Sequence, residues 1–133
     1  MHSNGFSLAR KALSEADDAL WRKLLTPTPR IYVRELAGIR DCIKAAAHIT
    51  GGGLQGNISR VVPKGLQVRL NWDWPTPEIF AILGRSGRIA QAEMRAVFNM
   101  GIGIAIVLAE EEVGTVADLL GEPTIHLGEV VGG

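Results

Sequence analysis

An α/β fold in which helices cover a small sheet is predicted by three observations. Short β-type runs, the alternation of Leu66, Val68, Leu70 and Trp72 and the apolar run Ile104 to Leu108, are separated by stretches with helical spacing. Glycine and proline clusters punctuate the changes from one period to the other. The chain has 133 residues, 47% of them hydrophobic and 21% charged, which suits one domain with a real core and no need of disulfide or metal staples. This alternation argues for a layered domain of about four strands.

Taken in order, Ser3 or Asn4 is the expected N-cap of a helix from about Gly5 to Ser14, whose apolar period starts at Phe6, Ala9 and Leu13. A second helical patch, Ala16 to Leu24, places Leu20, Trp21 and Leu24 on one side. Thr26-Pro27-Thr28-Pro29 then stops it, because two prolines remove donors and force extended backbone. Ile31 to Ile39 reads as helix, ended by Gly38. Lys44 to Thr50 reads as a short buried strand, with helix as the alternative its alanines leave open. Beyond Gly51-Gly52-Gly53, a short helix spans Gln55 to Val62, and Pro63-Lys64-Gly65 stops it before the alternating strand.

Trp72-Asp73-Trp74-Pro75-Thr76-Pro77 forms a rigid corner, either packed or serving as an aromatic ligand platform. Helices over Glu78 to Leu83 and Ala90 to Phe98 follow, separated at Gly84 and Gly87, with Ile79, Phe80 and Leu83 facing the core. Asn99-Met100-Gly101-Ile102-Gly103 leads into Ile104 to Leu108, expected to be a central strand buried on both faces. Glu110, Glu111 and Glu112 suit the first turn of a helix, where carboxylates complement the dipole, and Val113, Val116, Ala117 and Leu120 form its buried stripe. Thr124 to Val131 is the last expected strand, with His126 facing solvent or a polar edge.

Fourteen basic residues balance fourteen acidic ones, so no overall field favours nucleic acid or an anionic membrane, and no apolar run approaches the roughly 20 residues of a membrane helix. Any anion site must be local. Cys42 has no internal partner and reads as a small buried hydrophobe in a reducing compartment. His2, His48 and His126 share no metal-ligand spacing with one another or with the cysteine, so no metal site is expected.

Ala47-His48-Ile49-Thr50-Gly51-Gly52-Gly53 is where chemistry is expected. Three glycines suit positive φ or close approach to something bulky. Between a strand and a helix start, such a turn also presents free N–H groups and the positive end of the helix dipole to phosphate or carboxylate. A simple tight turn and an anion site are both consistent with this stretch.

Four motifs carry a resemblance: HSNGFSLARK (His2 to Lys11), AHITGGG (Ala47 to Gly53), GNISRVVPKG (Gly56 to Gly65) and EMRAVFNMGIGIAIV (Glu93 to Val107). In order and spacing they resemble the C-terminal half of the phosphoribosylformylglycinamidine cyclo-ligase family, the aminoimidazole ribonucleotide synthetases of de novo purine synthesis. LLTPTPRIYV (Leu24 to Val33) is similar as well, and the resemblance covers essentially the whole chain. It implies a three-layer α/β/α domain with a mixed sheet of about four strands. It further implies that the N-terminal ATP- and Mg2+-binding domain lies outside this chain, which then reads as a fragment of low activity by itself.

The family reaction uses ATP to phosphorylate the formamide oxygen of formylglycinamidine ribonucleotide. A nitrogen then closes the imidazole ring as phosphate leaves. By match to the motifs, His2 and His48 would be catalytic, and Asn4, Thr50, Gly51, Gly52 and Gly53 would bind substrate phosphate. The resemblance also implies a cytoplasmic enzyme, a homodimer when full-length, with a missing N-terminal domain as partner. Ser59 and Glu35 stand where proline is common in such sequences, and the segment between Leu13 and Leu24 is short. The alternatives are a stand-alone phosphate- or nucleotide-binding module and half of a related formylglycinamidine ribonucleotide synthetase. Removal of a covering domain would leave apolar surface open to self-association.

Overall fold

A computed structural model describes residues 6–12 and 31–133. Helix α1 (Phe6–Ala12) buries Ala9 and places Arg10 and Lys11 in its last turn, where cations suit the dipole. The expected N-cap at Ser3 or Asn4, the helical patch Ala16 to Leu24 and the proline stop at Thr26 to Pro29 lie outside the described residues. Helix α2 (Val33–Ile39) continues through Gly38 instead of ending there. Ile39 is only 2% exposed, so its burial draws one more residue into the helix, and Cys42 N–H closes the following turn on the Ile39 carbonyl at 2.9 Å.

Strand β1 (Ile43–His48) resolves the ambiguity of the alanine run in favour of strand. It pairs antiparallel with β3 (Ile104–Leu108), with Ala47 opposite Ala105 and His48 opposite Ile104. Small alanines let helix α3 (Gly53–Val61) lie close over the ladder, and Gly53, Leu54, Asn57 and Ile58 form its buried face. Strand β2 (Leu66–Leu70) pairs antiparallel with β4 (Gly128–Gly132), from Leu66 opposite Gly132 to Leu70 opposite Gly128.

The four expected strands therefore form two separate two-stranded antiparallel ladders, a correction to the single mixed sheet. Two local features accompany the separation. The β1 register breaks between Ile43 and Ala45, and the Gln55 amide of α3 donates to the Val68 carbonyl at 2.9 Å, so a side chain meets this part of β2. Strand β3 is likewise not buried on both faces: among the described residues it has one neighbouring strand, and only Ala105 is buried while Ile104 and Ile106 to Leu108 are half-buried.

The last strand begins at Gly128, not at Thr124, because β2 ends opposite that residue. Beyond it Asn71 takes over, its backbone N–H donating to Leu127 at 2.8 Å and its side-chain amide to the His126 carbonyl at 2.9 Å. His126 is exposed, as expected.

Helix α4 (Glu78–Ser86) passes through Gly84, where the Met94 sulfur lies 4.0 Å from the place a Cβ would occupy. Helix α5 (Gln91–Val97) follows. Glu110–Glu112 form a short 3-10 turn that leads into α6 (Val113–Leu120), which ends at Gly121 with φ 62°. Of the expected α6 stripe, Val116 is buried and Ala117 and Leu120 are half-buried, but Val113 is 45% exposed because it starts a helix whose main neighbour is the short α2.

The core has two parts. Ala9, Phe80, Leu83, Met94 and Phe98 join α1, α4 and α5. Ala47, Ile49, Leu54, Ile58, Trp74, Ile102 and Ala105 join α3 to the β1–β3 ladder. Met100 packs against both, and the Trp74 indole N–H donates to its carbonyl at 3.2 Å.

Candidate functional site

The glycine run leaves β1 along a defined path. Ile49 N–H donates to the Gly103 carbonyl at 3.0 Å, anchoring the chain to the entrance of β3 immediately before the turn. Gly52 then adopts φ 97° as the N-cap of α3, and Gly53 follows at φ 71°. Both values fall where a Cβ is strongly disfavoured. Gly53 is constrained twice, since a Cβ there would overlap the Arg95 carbonyl and stand 2.8 Å from that of Ala96. Gly51 has neither positive φ nor a neighbour within 4 Å of its Cβ position. Two of the three glycines are therefore demanded by geometry.

Asn57, which sequence reasoning passed over as a site residue, organises this turn. Its side-chain amide donates to the carbonyls of Thr50 at 3.1 Å, Gly51 at 3.2 Å and Gly53 at 2.6 Å. The Thr50 hydroxyl donates to the Asn57 side-chain oxygen at 3.2 Å. Asn57 is 6% exposed, so these bonds satisfy a buried amide. Their effect is to draw the loop carbonyls inward. Gly51 and Gly52 remain exposed, and their N–H groups donate to no other described residue. Free N–H groups at a helix N-terminus form an anion-facing surface. A sequence signal for Asn57 exists: a polar residue on the buried face of α3, one turn after Gly53.

His48 belongs to a different neighbourhood. Side chains alternate along β1, so Ala47 and Ile49 pack beneath α3 while His48 is exposed on the other face. There it lines a cavity of about 240 Å³ with Tyr32, Val33, Leu36 and Ile104. Thus Thr50, Gly51, Gly52 and Gly53 are brought together around Asn57, whereas His48 is adjacent in sequence but turned to the opposite face. His2 and Asn4 lie outside the described residues.

The other candidate features are held within the fold. Trp72 stacks on Trp74 with ring centroids 5.3 Å apart, and the Arg95 guanidinium lies 4.4 Å from the Trp72 centroid. With Trp74 only 9% exposed, this is a packed corner. Asn99, 1% exposed, accepts the Gly101 N–H at 3.1 Å, closing a turn in which Met100 and Gly101 both have positive φ and Gly101 abuts Pro77. Cys42 is half-buried. Among the described residues no group of three or more His, Cys, Asp or Glu side chains stands together as a metal site requires. None of their helices is long and apolar enough to cross a membrane.

Residues 1–133 match the family model described as AIR synthase related protein, C-terminal domain. The chain is 41% identical to the phosphoribosylformylglycinamidine cyclo-ligase of Pseudothermotoga lettingae over 148 aligned positions, covering 100% of this chain and 44% of that protein. It is 39% identical to the enzyme of the same name from Sorangium cellulosum, covering 98% and 43%. The corresponding protein of Thermodesulfovibrio yellowstonii is 42% identical, with 85% and 37% covered. The chain thus spans less than half the length of these relatives. The first two alignments are longer than the chain itself, so those relatives carry residues that it lacks.

Proposed function

The chain belongs to the AIR synthase related protein family, as its C-terminal domain, and from that premise we propose that it forms the phosphate-facing wall of an ATP-dependent cyclo-ligase. The reaction is closure of the imidazole ring of formylglycinamidine ribonucleotide to aminoimidazole ribonucleotide, with ADP and phosphate as the other products. The observation that carries this reading is the turn organised by Asn57, which points loop carbonyls inward and leaves the Gly51 and Gly52 N–H groups without a partner among the described residues.

Ring closure needs donors for phosphate oxygens and an orientation that holds the attacking nitrogen near the activated carbon. Gly51 and Gly52 supply such donors from fixed backbone, which requires little rearrangement when negative charge arrives. Thr50 supports the loop through Asn57. His48 and His2 are proposed as the groups that assist charge development at the formamide oxygen, and Asn4 as a further substrate contact. His48 would act from its own face of β1, beside the cavity it shares with Tyr32. ATP supplies the phosphoryl group that turns the formamide oxygen into a leaving group. The described residues offer no carboxylate cluster for Mg2+, and no step of this reading runs through the metal. The reading places the protein in the cytoplasm, with an N-terminal ATP-binding domain as its partner and a homodimer as the full assembly.

A separately produced N-terminal cyclo-ligase half, mixed with this chain, is expected to restore ATP-dependent formation of aminoimidazole ribonucleotide. A folded, demonstrably associated pair without ring closure would overturn the proposal.

A further inference from the structure

We propose that the α2–α6 pair is a two-fold docking face for a second copy of this chain, each copy laying its α2 on the α6 of the other. The proposal stands apart from the reading of the glycine loop. It starts from how the two helices run. Helix α2 turns into β1 at Ile43, yet Tyr32 and Val33 at its beginning line the cavity beside His48 and Ile104, at the far end of the ladder. So α2 runs antiparallel to β1. Helix α6 follows soon after Leu108, the residue opposite Ile43, and packs on α2. The two helices are therefore antiparallel, and Val33 and Leu119 come to the same end of the pair with most of their surface exposed.

Charge divides between the helices in a way that selects the occupant. From Ala109 to Glu122 the chain has five carboxylates and no cation, whereas α2 carries Arg34 and is followed directly by Arg40. Arg34 and Asp118 are both exposed, and neither forms an ion pair or side-chain hydrogen bond with a described residue although their helices touch. A two-fold axis parallel to the helices brings α2 over the α6 of the copy. Val33 then meets Leu119 and Arg34 lies beside Asp118, each contact occurring twice. The other two-fold arrangement, α6 on α6, would set carboxylates against carboxylates. A separate observation supports close approach. Gly38 in α2 and Gly114 in α6 are exposed, have no positive φ and would meet nothing within 4 Å if given a Cβ. Glycine within a helix is destabilising relative to alanine, and no contact within the chain asks for it at either place. Bare backbone on both helices suits the approach of another helix. The helices have only seven and eight residues, so the dimer depends on concentration.

Sedimentation velocity on the whole chain, over a concentration series at low ionic strength, reads the dimerisation constant. Arg34→Asp or Asp118→Arg alone should weaken it about tenfold, because the symmetry turns two attractions into two repulsions. The double variant, or an equimolar mixture of the two single variants, should recover the parent affinity to within about threefold. Arg85→Asp, an exposed change in the last turn of α4, should leave the constant unaltered and controls for net charge. Thermal melts matched to the parent establish that each variant is folded. A chain that stays monomeric at high concentration overturns the proposal, and a separately made N-terminal cyclo-ligase half that then protects α2 and α6 from hydrogen exchange gives the face to that domain. A dimer that ignores both charge reversals, or that the double variant fails to restore, overturns the two-fold arrangement.

Discussion

Gly53 is the residue at which backbone conformation and packing make the same demand. A methyl group there meets the carbonyls of Arg95 and Ala96 and is held at φ 71°, whereas one at Gly51 meets open space. Gly53→Ala should therefore destabilise the fold by about 2 kcal/mol or more, and Gly51→Ala by less than about 0.5 kcal/mol, in urea unfolding followed by circular dichroism. Equal losses at both positions would contradict the packing argument. The need for glycine at this turn was legible in the sequence, but which glycines were needed was not. The distinction depends on where α5 ends, some forty residues later in the chain. Asn57 was hidden for a similar reason: an asparagine in a helical stretch looks like a surface residue until the loop folds back over it.

At the scale of elements, α3 joins the two ladders. It packs on β1 through Leu54 and Ile58 and reaches β2 through the Gln55 amide. Leu54 has no exposed surface, so Leu54→Ala should cost about 2–5 kcal/mol, measured as a fall in the urea midpoint with unchanged slope. A cost below about 1 kcal/mol would mean that the helix can collapse onto the ladder. The Trp corner contributes from the other side. Trp72 holds φ 54°, an unfavourable conformation for a bulky residue, against its stack with Trp74 and the Arg95 guanidinium. Arg95 is also the residue whose carbonyl meets Gly53, so the tryptophan corner and the glycine loop converge on α5.

At the scale of the whole molecule, the most exposed large apolar side chains among the described residues lie on α2, just before it and on α6. Ile31 is 79% exposed, Val33 70% and Leu119 61%, while the two helices pack on each other. Apolar side chains of this size are normally covered. Concentration-dependent self-association is the expected solution behaviour, read by multi-angle light scattering, and Val33→Glu combined with Leu119→Glu should suppress it. A strict monomer at high concentration, with the parent residues in place, would contradict this expectation, and association undiminished in the double variant would exclude this surface as its cause.

Four strands, most of the described helix positions, the Trp72 to Pro77 corner, the turn at Gly51 to Gly53, the core residues Phe80 and Leu83 and the family itself were determined by the sequence, whereas Gly38 and Gly84 lie within helices that were expected to end there. Each rests on local periodicity, local backbone preference or contiguous motifs. Tertiary structure alone decided the pairing of the strands into two ladders, the partial exposure of β3 and the late start of β4, because pairing depends on which distant backbone lies alongside. It also decided the site's composition. Residue order puts His48 next to Thr50, but strand alternation turns it to the opposite face, while the helix that follows brings Asn57 back to the glycines.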